Sequence, residues 1–161
     1  MYLIATKRVD KVNWKVLNPA NGISLDSPEA ISQDFTDLMQ LTQLTDVATD
    51  IYGASVEVTC AYWRKANSIH GWFVNNVQDC NDNCGRYSVS TEQLQELLAL
   101  CQKSLNEKDP SLLMPVNGPF FGGGDIDQWY WEDIKETIEK LNRIVALPDF
   151  NELSFHYESS W

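Results

Sequence analysis

The sequence predicts an α+β fold, with about four helices packed on a small antiparallel sheet formed by strands near both termini. Two patterns predict it. Apolar residues recur at helical spacing in two long stretches, one carrying Leu94, Leu97, Leu98, Cys101 and Leu105, the other Ile134, Ile138, Leu141 and Val145. Short alternating stretches lie near both ends, at residues 2–7 and 153–158.

Taken in order, residues 2–7 read as a strand, and residues 13–17 as a second candidate because Trp14 and Val16 alternate with polar neighbours. Asn18-Pro19 and Asn21-Gly22 mark turns. Ser27 is placed to cap a helix with Pro28 at its first position, running to about Leu41. Residues 44–52 fit neither pattern. Over residues 56–78, Val58, Tyr62, Ala66, Ile69, Phe73 and Val77 recur at steps of three and four, which predicts a helix. Its other faces carry Ala61, Trp63, Trp72 and Val74, so that helix should be central and buried. Gly71 inside it is a poor helix former, which fits a close approach by a neighbour or a ligand. Residues 79–85 are a polar loop and 86–89 a short strand. Ser90-Thr-Glu-Gln93 is a capping box that opens the next helix, and Asp109-Pro110 ends it. Residues 117–125 form a loop, and a long acidic helix then occupies about 126–146 before Pro148.

The 161 residues match the usual size of one domain, and 43% of them are apolar, which makes the chain globular. The N-terminal MYLIATKRVDK lacks the basic start and apolar core of a signal peptide, so the protein is expected to stay where it is made. Reduced thiols are then expected at Cys60, Cys80, Cys84 and Cys101. A net charge of −11 repels phosphate backbones and anionic bilayers, so neither general nucleic-acid binding nor membrane attachment is expected. Such acidity serves solubility, or it imitates DNA and fits a basic partner.

Three groups of residues could carry chemistry. Residues 62–73 combine Arg64, Lys65 and His70 with Trp63, Trp72 and Phe73. Aromatic faces can stack a base and Arg can grip a phosphate through two bonds. The competing account makes the aromatics core and pairs Arg64 and Lys65 with carboxylates of the last helix. Phe120-Phe121 followed by glycines 122–124 could bring backbone N–H groups to an anion, although it has neither P-loop nor Rossmann spacing. In Trp129-Tyr130-Trp131 the three rings cannot all face one core, so at least one should meet solvent, a pocket or a partner. Trp161 is a further aromatic anchor, or docks back on the domain. Cys80, Cys84 and His70 have loose zinc-site spacing without a clear fourth ligand, and no metal or other cofactor is expected.

The blocks YWRKANSIHGWFVNNVQDCNDNCGRYSVS and FFGGGDIDQWYWEDIKETIEKL and the tail YESSW resemble a widespread family of small phage and bacterial proteins, over roughly residues 57–161. The chain is also similar to phage proteins that act as sponges for the cyclic-nucleotide signals of bacterial anti-phage defence. That resemblance implies a non-catalytic, oligomeric protein in the cytoplasm of an infected bacterium, binding a cyclic di- or trinucleotide without cleaving it. It implies a ligand site at Trp63, Arg64, Lys65, His70, Trp72, Phe120, Phe121 and Tyr130. The glycine-rich run 122–124 departs from the family pattern and bears on ligand choice. Two other classes fit the sequence: an acidic, DNA-like inhibitor of a basic host protein, and a nucleotide or phosphoester hydrolase using His70 and a carboxylate.

Overall fold

A computed structural model of the chain describes residues 1–16, 23, 25, 27–46, 52–116 and 124–160. The chain forms two compact units: Met1–Thr6 with Glu57–Trp161, and Lys7–Val56. The architecture is the expected α+β arrangement, four α-helices with a four-stranded antiparallel sheet among the described residues.

The strands are β1 (Tyr2–Asp10), β2 (Gly53–Tyr62), β3 (Arg86–Val89) and β4 (Ser154–Glu158), in the order β2-β1-β4-β3. The first and last strands therefore lie side by side at the centre. Tyr2 is opposite Glu158 and Ala5 is opposite Phe155, while on the other side of β4 Val89 is opposite Phe155. The period of two sends Leu3, Ala5, Val89, Phe155 and Tyr157 into the core. On the alternate face Arg86 of β3 makes two hydrogen bonds, at 3.1 and 2.7 Å, to the Glu57 carboxylate of β2.

Three helices complete the larger unit: α2 (Asn67–Asn76), α3 (Thr91–Glu107) and α4 (Gln128–Val145), where α1 (Gln33–Thr42) belongs to the smaller one. α3 buries Leu94, Leu97, Leu98 and Cys101; α4 buries Tyr130, Ile134, Leu141 and Ile144. The Ser90 capping box is formed in full, with Gln93 N–H donating to Ser90 Oγ at 3.1 Å and Ser90 N–H donating to Gln93 Oε1 at 2.9 Å. Each of the first seven residues of α2, Asn67 to Phe73, is buried, as a helix apolar on most sides requires. Phe73 stacks on Tyr157 at 3.9 Å between centroids. A Cβ on Gly71 would lie 2.7 Å from Val116 Cγ1, so the close approach that this glycine allows is made by a protein side chain.

Three expectations are corrected. The helix expected over 56–78 begins only at Asn67, and its first part is strand β2. Val58 and Tyr62 are four apart, which puts them on one side of a helix and also on one side of a strand. The β-branched Val56, Val58 and Thr59 then favour the strand, which pairs with β1. The helix expected from Ser27 to Leu41 is broken. A 3-10 turn covers Pro28–Ala30, Ile31 and Ser32 are extended, and α1 starts at Gln33. Tertiary pairing takes that backbone: Asn13 N–H donates to Ala30 O at 2.7 Å and Ser32 N–H donates to Lys11 O at 2.8 Å. The same pairing leaves only an isolated bridge, Val12 to Ile31, where a strand over 13–17 was expected. Asn13 there accepts from Lys15 N–H and Val16 N–H in a turn, and Leu17 is outside the described residues.

Candidate functional site

The site lies where two helices of the larger unit begin. β2 ends at Tyr62, Trp63 enters the core, and the chain turns through Arg64 and Lys65 into α2. Lys65 makes that turn with φ of 61°, a left-handed conformation costing a non-glycine residue on the order of 1 kcal/mol. Ala66 is the N-cap of α2, so no side chain caps its first turn, and no acidic residue occupies it. The first N–H groups of a helix have no intrahelical partner and carry a partial positive charge. α4 opens nearby with Asp127 as N-cap, accepting from Tyr130 N–H at 3.0 Å.

These segments line a cleft of about 360 Å³. One side is supplied by Arg64, Lys65, Asn67 and Ser68, the other by Asp125, Asp127, Trp129, Tyr130 and Asp133, with Pro115 between. Arg64 and Lys65 are exposed, and among the described residues neither has a carboxylate at ion-pair distance. The alternative in which they pair with the last helix is therefore not what that helix does. Its Lys140 pairs instead with Glu136 at 2.9 Å and donates to the Tyr62 carbonyl. Ser68 is 2% exposed. Trp129 is 76% exposed. Burial pushes the half-buried Asp133 carboxyl up to about 6, with Glu136 and Asp127 adding to the rise and Lys140 opposing it.

Of the residues named from sequence, Arg64, Lys65 and Tyr130 line this cleft together. Tyr130 does so from a buried position, its hydroxyl donating to Leu113 O at 3.1 Å. Trp63, His70 and Trp72 are core residues and do not line it. Trp63 is 1% exposed and its Nε1–H donates to Thr137 Oγ1 at 2.9 Å. His70 is held on both ring nitrogens, Nδ1 at 2.7 Å from Tyr157 Oη and Nε2 at 3.0 Å from Asp82 Oδ2. Phe120 and Phe121, glycines 122 and 123, and Trp161 lie outside the described residues. The aromatic triplet divides as the helix demands: Trp129 outward, Tyr130 inward, and Trp131 half-buried, edge-on to Tyr130 at 4.8 Å with Lys108 over its ring.

The cleft also contains residues that sequence patterns did not single out: Asn67, Ser68, Pro115, Asp125, Asp127, Trp129 as a wall residue, and Asp133. The one available signal was three aspartates spaced around an aromatic triplet, and in a chain with 23 acidic residues that spacing is uninformative. Among the described residues no group of three or more His, Cys, Asp and Glu is placed to hold a metal ion. Cys60 and Cys101 carry thiols that burial raises to about 11 and about 12, which makes them inert packing groups. Among the described residues no helix is long and apolar enough to cross a membrane.

No family model, curated protein or solved structure matches this chain, so the family resemblance rests on its three sequence blocks alone.

Proposed function

We propose that this protein binds a cyclic nucleotide in the cleft between the starts of α2 and α4 and sequesters it without cleaving it. The observation that carries this reading is a single juxtaposition. Arg64 and Lys65, without carboxylate partners among the described residues, flank the uncapped first turn of α2, and the exposed ring of Trp129 lines the same cleft. Cations beside a helix N-terminus attract phosphate, and an exposed aromatic face stacks a base. A volume of about 360 Å³ lies within the range of small-molecule sites. A local cationic wall lets an acidic chain take a ligand with few phosphates while its overall charge repels long polyanions.

Sequestration is favoured over hydrolysis by the position of His70. The imidazole sits in the core between Tyr157 and Asp82 and does not line the cleft, and among the described residues no histidine or cysteine lines the cleft and no group is placed to hold a metal ion. Evasion of bacterial defence by a phage is the biological setting that the sequence resemblance implies. A thermal-shift panel of cyclic di- and trinucleotides, with each ligand re-examined by chromatography afterwards, tests both halves. A rise in Tm with one ligand recovered intact is expected. A degraded ligand overturns sequestration. No shift across the panel overturns the ligand class and points to the acidic-inhibitor alternative.

A further inference from the structure

We propose that the cleft selects guanine among the bases, with the Asp133 carboxylate accepting hydrogen bonds from N1–H and the exocyclic N2 amino group of its Watson–Crick edge. This deepens the nucleotide-binding reading and rests on it.

The two sides of the cleft differ in charge. Its cationic side holds Arg64, Lys65 and the first turn of α2, where Ser68 also lines the cleft. Its other side holds Asp125, Asp127 and Asp133 beside Trp129. A phosphate drawn to the first side, with its base stacked on Trp129, presents the edge of that base to carboxylates. Ionised carboxylates only accept hydrogen bonds. Guanine offers two adjacent N–H donors with no acceptor between them. Adenine places the N1 lone pair beside its amino group, cytosine places N3 there, and uracil flanks its single N–H with two carbonyls. Each of those lone pairs meets a carboxylate with repulsion.

Among the three carboxylates, geometry favours Asp133. Asp127 already spends Oδ1 as the N-cap of α4. Asp125 is exposed, where water competes for its oxygens. Asp133 is half-buried, and among the described residues no group donates to its carboxylate; its backbone carbonyl accepts from Thr137 Oγ1 at 2.7 Å. A half-buried carboxylate without donors is costly to keep unless a ligand supplies them. One bidentate pair of this kind discriminates between bases by on the order of ten- to a hundredfold.

The test is calorimetric titration of the full chain with cyclic di-GMP and with cyclic di-AMP. It uses the wild type, Asp133→Asn and, as a control on an exposed carboxylate of α4 outside the cleft, Glu139→Gln, with a thermal melt to show that each variant is folded. The wild type is expected to bind cyclic di-GMP on the order of tenfold or more tighter than cyclic di-AMP. Asparagine presents one donor and one acceptor, which suits adenine. Asp133→Asn should therefore lose guanine affinity, gain adenine affinity and collapse the preference, while Glu139→Gln leaves it in place. Equal affinities in the wild type, a preference for adenine, or a guanine preference that survives Asp133→Asn overturns the base assignment and leaves the nucleotide reading standing. Binding of neither ligand overturns this assignment for both bases, and the wider panel then decides the nucleotide reading itself.

Discussion

The hydroxyl of Tyr157 and Nδ1 of His70 lie 2.7 Å apart in the core, and the far nitrogen of the same ring meets Asp82 at 3.0 Å. A carboxylate only accepts, so in the neutral ring Nε2 carries the proton and Nδ1 accepts from the tyrosine. Burial holds the Tyr157 phenol well above its ordinary range, so it stays a donor throughout the physiological pH range.

This chain of contacts ties α2 to the central strand β4, and its loss should be felt in stability alone. Tyr157→Phe keeps the stacking on Phe73 and removes the donor to His70. The expected cost is about 1–3 kcal/mol, or several degrees of Tm for a chain of this size. Thermal denaturation reads the loss, and titration of the folded variant should give unchanged nucleotide affinity. A large fall in affinity at a temperature where the variant is folded would place this network in the site.

Removing the cations should do the reverse. Arg64 and Lys65 have no ion-pair partner to lose among the described residues, so Arg64→Ala and Lys65→Ala should leave Tm within about 1–2 °C of the wild type. A charge-assisted phosphate contact contributes about 1.5–3 kcal/mol, so each variant should bind on the order of ten- to a hundredfold more weakly. Calorimetric titration checks this, and wild-type binding should weaken as salt rises.

Asp133 predicts a trade of stability against binding. Its folded value of about 6 lies above the ordinary 3.8. The fold therefore favours the protonated carboxyl, and that contribution is fully present below about pH 3.8 and lost as pH rises through about 6. Asp133→Asn should then stabilise the protein above pH 7, on the order of 1 kcal/mol after allowing for the water that reaches a half-buried group. The gain should vanish near pH 4. Melts of both proteins at pH 4 and pH 7.5 measure the difference, and an equal effect at both pH values would exclude this origin.

Gly71 and Val116 form a pair whose coupling has a definite sign. Alanine is the better helix former by about 1 kcal/mol, but its Cβ would come within 2.7 Å of Val116 Cγ1. Overpacking costs about 1–3 kcal/mol, so Gly71→Ala should destabilise the wild type. In a Val116→Ala background the clash is gone and the same change should stabilise. A double-mutant cycle by urea denaturation measures this, and additive effects would mean that the loop carrying Val116 simply moves aside.

Sequence patterns carried furthest where one local rule acts without competition. The Ser90–Gln93 box and the apolar stripe of α3 specify that helix before any tertiary contact forms. The strand at β4 is legible because Phe155 and Tyr157 alternate with polar residues. Legibility failed where two periods agree, as for Val58 and Tyr62, and where distant backbone intervenes, as when Lys11 and Asn13 break the helix expected after Pro28. Most of the cleft was hidden for a related reason. Whether Trp63 is core or ligand-facing is decided by Thr137, 74 residues away, and Asp125, Asp127 and Asp133 come to share a cleft with Arg64 and Lys65 only in the folded chain. Arg64 and Lys65 themselves were visible, because a basic pair between aromatics is conspicuous in so acidic a sequence.

The strand order has a temporal consequence. β4 sits between β1 and β3 yet follows both in the chain, so it leaves the ribosome after every strand that it joins. While α3 and α4 are being synthesised, β1 and β3 wait with their inner edges unpaired and with Leu3, Ala5 and Val89 lacking the Phe155 and Tyr157 that cover them. Such edges invite foreign strands, and closing a loop of nearly the whole chain is slow. Completion of the sheet is thus a late, all-at-once event, and the nascent protein spends its most vulnerable interval waiting for its final strand.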